Sequence, residues 1–193
     1  MSALPKIVYW TPKEYLAMER KAEYKSEYFN GQIIAMAGAS ERYNLIAGNV
    51  FGEFYLQFKK RTCKAYSSDM RVKVSESGLY TYPDVVAVCD RARFDDTQKD
   101  TLLNPTVIVE VLSKSTRGYD RGAKFAHYRK LNSLQEYLVI SQTKYHVEHY
   151  VRQPNKQWLF SEYESPSDTI ELPSINCHLA MTDIYDKIEI VLV

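Results

Sequence analysis

Cysteine is scarce in this sequence, and its spacing excludes a common kind of metal site. The three cysteines, Cys63, Cys89 and Cys177, lie far apart, and no two of them form a CxxC pair. Zinc sites built from thiolates need such close pairs, so a centre of that kind is excluded. We expect all three cysteines to be free thiols in a reducing cytosol.

The sequence also lacks a long apolar run and an excess of charge of either sign. No segment reaches the length of a membrane span, and the first residues, MSALPKIVYW, lack the charged start and apolar core of a signal peptide. We therefore expect a cytoplasmic protein without a membrane partner. The formal net charge of +1 excludes a global basic signature for nucleic-acid binding, but it leaves a local basic face open.

The sequence does contain a regular succession of helix and strand signals. Its 193 residues suit one medium domain, residues 1–193. Thr11 and Ser40 are predicted helix N-caps, Asn30-Gly31 is a preferred hairpin turn, and a second hairpin is predicted to turn at residues 153–155. We predict an α/β fold, a mixed sheet flanked by helices with added N-terminal and C-terminal hairpins, in which the apolar C-terminal segment closes one sheet edge.

One carboxylate interrupts an otherwise apolar strand. In PTVIVEVLSKST, Glu110 shares a strand face with Ile108 and Leu112, because strand side chains alternate. An acidic group among such neighbours must be paired, hydrogen-bonded or bound to a metal. The alternative is a glutamate at a strand end that reaches water or pairs with Lys114.

Further polar groups stand beside predicted buried elements. Asp84 opens the strand of YPDVVAV, although it could instead cap local backbone N–H groups. A helix is predicted from about Tyr119 to Leu131, and it would place Asp120, Lys124 and Tyr128 on one face. The alternative is an exposed Asp–Lys pair with a half-buried tyrosine.

Together, two carboxylates and a lysine fit metal-assisted phosphodiester hydrolysis. Hard oxygen ligands suit Mg²⁺, with Mn²⁺ as a second choice. Such a metal makes hydroxide available near neutral pH and stabilises charge on a phosphoryl oxygen. A lysine adds a point charge on the phosphate or orients the attacking water.

Several stretches resemble one family. The segments SEYFNGQIIAMAGAS, YPDVVAV, PTVIVEVLSKST, YDRGAKFAHYRK, LQEYLVI and HLAMTDIY are similar to the Uma2 family, also called DUF820, of bacterial endonucleases. The resemblance covers most of the chain. It implies a single domain of the PD-(D/E)XK nuclease superfamily with a restriction-endonuclease-like fold, acting on DNA with a divalent metal.

The resemblance also implies roles for individual residues. Asp84 matches the Asp of the PD motif, and Glu110 matches the acidic residue of (D/E)XK, so these two would hold the metal with the carbonyl of Val111. The motif lysine would stand at position 112, where this sequence has Leu112. A lysine on the following helix is implied as the replacement, and Lys124 occupies that position, since its long stem can reach the same space.

Supporting residues are less sharply defined. Glu27 looks like the family's acidic residue near the first hairpin, with a charge facing water as the alternative. Asp69 is a further candidate acid on a neighbouring strand. Tyr43 stands where family members show a histidine.

Other polar residues near the motif have simple alternatives. Ser113, Ser115 and Thr116 could contact phosphate, but capping of the next helix is the favoured interpretation. The four histidines show no ligand spacing, and His127 is kept as a neighbour of the site.

We therefore weigh three hypotheses. The first is a metal-dependent endonuclease on DNA. The second is a nuclease-like module that binds nucleic acid or protein without cutting, which Leu112 and the near-neutral charge favour. The third is a protein-interaction module, a homodimer that uses the second hairpin, which the 16 tyrosines would suit.

Overall fold

The computed structural model describes residues 9–113 and 116–190, which form three β-sheets with helices around them. The helices are α1 (Pro12–Glu19), α2 (Glu41–Gln57), α3 (Arg117–Tyr119), α4 (Phe125–Tyr128) and α5 (Met181–Ile184). A π-helical turn, Asp120–Lys124, joins α3 to α4. The strands are β1 (Ser26–Phe29), β2 (Gln32–Ala35), β3 (Lys64–Ser67), β4 (Arg71–Val74), β5 (Leu79–Thr81), β6 (Val85–Val88), β7 (Thr101–Leu102), β8 (Val107–Val111), β9 (Glu136–Ile140), β10 (Val147–Arg152), β11 (Trp158–Tyr163), β12 (Thr169–Leu172) and β13 (Cys177–Ala180).

The central layer is a six-stranded sheet in the order β11-β10-β9-β8-β6-β3. Its strands β8 and β9 are parallel and the other neighbours are antiparallel, so the predicted mixed sheet is confirmed. Every residue of β8 is buried, including Glu110. This is the pattern of a strand that is covered on both faces.

One face of this sheet packs against α2. Ile46, Val50 and Phe54 recur every four residues along α2 and are fully buried against Val85 and Val109. This spacing places the three side chains on one stripe of the helix. The hairpin β12–β13 and α5 complete this layer.

The other face packs against the five-stranded sheet β2-β1-β5-β4-β7 and against α4. Val86 and Ile108 of the central sheet meet Val72, Leu102 and Tyr128 in this second core. Because side chains alternate along a strand, Glu110 points into this layer rather than toward α2. The candidate site therefore lies between the two larger sheets.

The local signals for the first elements are confirmed. Thr11 and Glu14 form a capping box at α1, and Ser40 accepts the backbone N–H of Tyr43 at the start of α2. Asn30 and Gly31 both have positive φ, as a tight hairpin turn between β1 and β2 requires. The second predicted hairpin is confirmed as β10–β11.

Two predictions are wrong, one on where a helix ends and one on how the C-terminal segment pairs. The helix after β8 ends at Tyr128 rather than Leu131 and contains the π-helical turn. The C-terminal segment contributes β13, which pairs with β12 in a two-stranded sheet and packs on α2. As far as the structure describes it, to Ile190, the segment does not close an edge of the central sheet. Apolar side chains stabilise either arrangement, and local sequence does not choose between them.

The expectation of three free thiols is also wrong. Pairing of Lys64 with Val88 continues by one residue, which places Cys63 opposite Cys89, and a disulfide joins them. Cys177 is a free, buried thiol. Cross-strand neighbours are set by sheet register, which cysteine spacing alone does not reveal.

We predict that this disulfide contributes measurably to stability. It joins residues 26 positions apart, and a closed loop of that size lowers the entropy of the unfolded chain by an amount worth about 3 kcal/mol. Urea unfolding of the oxidised protein, compared with protein held in a reductant, is expected to show this difference. A variant with both Cys63→Ser and Cys89→Ser serves as control and should be insensitive to reductant. Equal wild-type stability under both conditions would contradict the prediction.

Candidate active site

A cavity between the two larger sheets, open to solvent on one side, collects four of the five acidic residues that the sequence analysis names. Its volume is about 480 Å³. Glu27, Asp84, Glu110 and Asp120 lie in its wall together with Lys124. The polar part of the cavity is thus built from β1, the start of β6, the end of β8 and the π-helical turn.

Asp84 and Glu110 come from neighbouring antiparallel strands. The pairing of Val85 with Val109 continues by one residue, which places Asp84 opposite Glu110. Directly opposed residues project to the same face of a sheet. Asp84 is held there by the backbone N–H of Val111, which donates to its Oδ2 at 2.6 Å.

Lys124 enters this group from the π-helical turn and is buried. Its Nζ lies 2.9 Å from Oε1 of Glu110, 3.3 Å from Oε1 of Glu27 and 3.7 Å from Oδ1 of Asp120. The alternatives of an exposed Asp–Lys pair and of a Glu27 that faces water are therefore wrong, as all four groups are buried. The Lys124 ammonium group thus forms ion pairs with three carboxylates.

The π-helical turn matters for this arrangement. A π-helix has wider turns than an α-helix and often occurs as a single turn at functional sites. Here the turn spans Asp120–Lys124 and both of its terminal residues are buried in the cavity wall. The sequence spacing predicts a shared face for Asp120 and Lys124. It does not predict the π-helical geometry of the turn.

Tyrosine and threonine hydroxyls complete the polar shell. Tyr128 is fully buried and donates to Oε1 of Glu110 at 2.7 Å. Tyr43 donates to Oδ1 of Asp84, and Thr81 donates to Oε1 of Glu27. The sequence predicts Tyr128 near the site. It does not predict the hydrogen bonds of Tyr43 and Thr81, because these join distant segments of the chain.

Burial raises the pKa of several of these carboxyl groups. Burial, opposed by Lys124 and by the Val111 N–H, raises the pKa of Asp84 from 3.8 to about 7. Burial also raises the pKa of Glu110 well above its ordinary value and raises the pKa of Asp120. Although burial lowers the pKa of Lys124, the nearby carboxylates of Glu110 and Glu27 outweigh that effect and raise it well above the ordinary value. Carboxyl groups in this state are typical of functional sites.

These shifts predict how the metal-free protein responds to pH. The folded-state pKa of Asp84 is about 7 against 3.8, so between these values the folded state binds more protons than the unfolded state. The free energy of unfolding should therefore fall as pH rises from about 4 to 7. Asp84→Asn removes the ionising group and retains an acceptor for Val111, so it should be more stable than wild type at pH 7 by about 1–2 kcal/mol.

Chemical unfolding in EDTA at pH 4 and pH 7 measures this effect. The advantage of Asp84→Asn should shrink at pH 4, where the wild-type carboxyl group is largely protonated. A variant that is less stable than wild type at pH 7 would contradict the assignment of a destabilising buried charge to Asp84.

The remaining sequence candidates lie at the rim of the cavity or outside it. Asp69 is not brought to the cavity: its side chain is 85% exposed and pairs with Lys25 at 3.1 Å. Ser113 lines the cavity, and its Oγ accepts the Thr116 N–H at 3.1 Å. Thr116 is the N-cap of α3 but makes no side-chain capping hydrogen bond, so the structure does not confirm the capping interpretation for it. Lys114 and Ser115 lie outside the described residues.

Leu112 and His127 take part in packing rather than in the polar group. Leu112, at the position of the motif lysine, is buried in the second core with Ile108. The His127 ring contacts Phe29 edge-on, with 4.6 Å between ring centroids. Neither residue belongs to the cavity lining. Tyr119 does line the cavity, and the sequence analysis does not name it as a site residue.

A second set of possible metal ligands lies elsewhere on the central sheet. One ligand atom from each of His146, Glu148 and Glu162 fits within 4.8 Å of the others. The oxygens of Glu148 already accept from Arg121 at 2.6 Å and from Tyr150 at 2.9 Å. This cluster lies outside the cavity that contains Asp84 and Glu110, and we assign no metal to it.

The fold and the sequence identify the class of protein. The model of the Uma2 family, described as "Putative restriction endonuclease", matches residues 12–182, and the chain therefore belongs to the Uma2 family. A crystal structure of a "putative nuclease belonging to DUF820" from Anabaena variabilis ATCC 29413 is similar in fold, with a TM-score of 0.71 and 20% identity over 89% of this chain and 95% of that one.

Two proteins from Synechocystis sp. are related to this chain in sequence. The Synechocystis protein sll1609 is 40% identical over 161 residues, which cover 83% of this chain and 91% of that protein. The Synechocystis protein slr1290 is 37% identical over 175 residues, which cover 91% and 90%. Both are named as uncharacterized proteins and add no activity. Within residues 9–113 and 116–190, no helix has the length and apolar character that a membrane crossing requires.

Proposed function

We propose that this protein is a metal-dependent endonuclease that hydrolyses DNA phosphodiester bonds. The observation that carries this proposal is the buried Lys124 ammonium, 2.9 Å from Glu110, in a cavity that also contains Asp84. Two carboxylates on adjoining strands with a lysine beside them are the groups that the PD-(D/E)XK resemblance implies. The motif position is occupied by the uncharged Leu112, and Lys124 supplies the positive charge from the π-helical turn instead.

The residues present fit a divalent metal, and we propose Mg²⁺, with Mn²⁺ as the alternative. Asp84 and Glu110 offer hard carboxylate oxygens, and the carbonyl of Val111 is the proposed third ligand. Their negative charge is buried, and a bound cation would stabilise the ionised forms. A bound divalent ion would supply a hydroxide near neutral pH and would stabilise charge on the phosphoryl oxygen.

The protein groups have separate proposed roles. Lys124 would place its ammonium beside the phosphate or orient the attacking water, and its three carboxylate partners hold it in position. Tyr128 holds the orientation of the Glu110 carboxyl group by its hydrogen bond. Asp120 and Glu27 are proposed to support Lys124 in the same way.

Cleavage of plasmid DNA by the purified protein tests the proposal. We expect nicked or linear products with Mg²⁺ or Mn²⁺ and none with EDTA. Parallel incubations with single-stranded DNA and with RNA identify the preferred nucleic acid. Absence of products with every substrate and both metals would refute the endonuclease proposal.

The second candidate function is a nuclease-like module that binds nucleic acid or a protein without cutting. Leu112 at the motif lysine position favours it, since the usual form of the motif is absent. This candidate predicts salt-dependent DNA binding that persists in EDTA. Loss of binding on metal removal would favour the enzyme instead.

Two further aspects of function are proposed. One is a cytoplasmic location, for which the free-thiol part of the argument is wrong because Cys63 and Cys89 form a disulfide. The other is a homodimer that uses the second hairpin, which includes the edge strand β11.

A further inference from the structure

The second hairpin presents an unprotected edge of the central sheet. Strand β11 is the end strand and pairs with β10 through six consecutive residues without a bulge. It contains no proline or lysine, which commonly block edge strands, and its one charged residue is Glu162. Leu159 and Phe160 on this strand are 57% and 46% exposed. Such an edge is suited to pairing with another strand.

The register defines which backbone groups of β11 face outward. The Gln153 N–H donates to the Gln157 carbonyl. The N–H of the preceding residue, Arg152, points away from β11 and donates to the Gln135 carbonyl. Antiparallel pairs alternate between bonded and non-bonded positions along a ladder. Gln157 is a bonded position, so the bonded and non-bonded positions alternate along β11 from there. The N–H and C=O groups of Trp158, Phe160 and Glu162 therefore point away from β10.

An aromatic row crosses the sheet and ends at this edge. Tyr137, Tyr150 and Phe160 stand opposite one another on β9, β10 and β11. Their rings follow at 6.0 Å and 5.0 Å between centroids. Phe160 is thus packed on its inner side and half-exposed on its outer side, where the row lacks a next member.

We propose that β11 pairs antiparallel with β11 of a second copy of this chain, about a twofold axis at Phe160. The two outward-facing Phe160 residues would then be directly opposed and would extend the aromatic row across the axis. Trp158 would stand opposite Glu162 of the second copy, so the outward groups of each strand meet outward groups. The two central sheets become one continuous sheet.

Self-complementarity favours a second copy over an unrelated strand. In this register the two half-exposed Phe160 side chains oppose each other at the axis, and the outward backbone groups of Trp158 meet those of Glu162 in the second copy. Because the contact is isologous, it uses both edges and closes as a dimer.

Sedimentation equilibrium of the full chain and of Phe160→Glu tests this surface. Wild type is expected to dimerise, and Phe160→Glu should raise the dimer dissociation constant by about tenfold or more, since it opposes like charges at the axis and removes an aromatic contact. Tyr55→Glu is the matched control. Tyr55 is 59% exposed on α2, and its replacement should leave the dimer unchanged. Thermal unfolding by circular dichroism confirms that each variant is folded.

A cysteine variant tests the register independently of affinity. Phe160→Cys in a Cys63→Ser, Cys89→Ser, Cys177→Ser background should form a disulfide between chains under mild oxidation, because opposed residues of a bonded pair have their Cα atoms about 5.5 Å apart. Tyr55→Cys in that background should not. A wild-type protein that stays monomeric at 100 times the assay concentration, or a folded Phe160→Glu dimer as tight as wild type, would overturn the proposal.

Discussion

Replacing Asp84 or Glu110 by its amide is expected to remove metal-dependent DNA cleavage while leaving the protein folded. Asp84→Asn and Glu110→Gln keep the shape of each side chain and remove the charge that would hold the metal. We expect a loss of roughly 10²- to 10³-fold or more in cleavage rate for each variant. The double variant should lose little more than the single ones, because residues that act as a unit are not additive.

Metal binding supplies a readout that is independent of cleavage. For the wild type, Mn²⁺ at 100 times its dissociation constant should raise the free energy of unfolding by about 2.7 kcal/mol. Both amide variants should lose this increment. Asp69→Asn is the matched control, because Asp69 is an exposed aspartate in an ion pair with Lys25. Cleavage that is unchanged in Asp84→Asn, or lost equally in Asp69→Asn, would show that the site is assigned wrongly.

Replacing Lys124 by methionine should affect both stability and cleavage. The change leaves Glu27, Glu110 and Asp120 without their common cation in a buried site. Breaking a buried ion pair by removal of one partner costs about 3–5 kcal/mol. Since burial already raises the pKa of Glu110 and Asp120, proton uptake should reduce the cost at pH 5 relative to pH 8. Urea unfolding at the two pH values measures this difference.

The Lys124 prediction has a matched control and a rescue. Lys73→Met removes a partly exposed lysine that pairs with Asp95 at 2.7 Å, and it should cost about 1 kcal/mol or less. Adding Leu112→Lys to Lys124→Met places an amine on the strand face of Glu110, at the position of the usual motif lysine. We expect partial recovery of cleavage in that double variant. Full wild-type cleavage in folded Lys124→Met would remove Lys124 from the catalytic group.

Local sequence was sufficient for several elements because the interactions that define them are local. Thr11 and Glu14 are three residues apart and form the capping box that their spacing predicts. Asn30-Gly31 adopts the positive φ angles of its turn. The apolar stripe of α2 is buried as its period predicts. Each of these signals acts over a few residues.

These local signals do not predict how distant segments of the chain pair. The segment CKAYSSDMRVKV contributes β3 to the central sheet and β4 to the five-stranded one, because it breaks at a turn near Asp69. Cys63 meets Cys89 through the pairing of β3 with β6. Such contacts depend on register between distant strands, which hydrophobic pattern specifies only as a preference for one face.

The sequence by itself determined the family resemblance, the α/β class and the improbable place of Glu110 within a buried strand. It also indicated Asp84 and Lys124 as the groups to examine, and it identified Leu112 as the departure from the motif. Only the tertiary structure decided that Lys124 is buried beside Glu110, that Glu27 joins the same group and that Asp69 does not. The physical reason is that a buried charge must be compensated by neighbours in space, and those neighbours come from four separate segments of the chain.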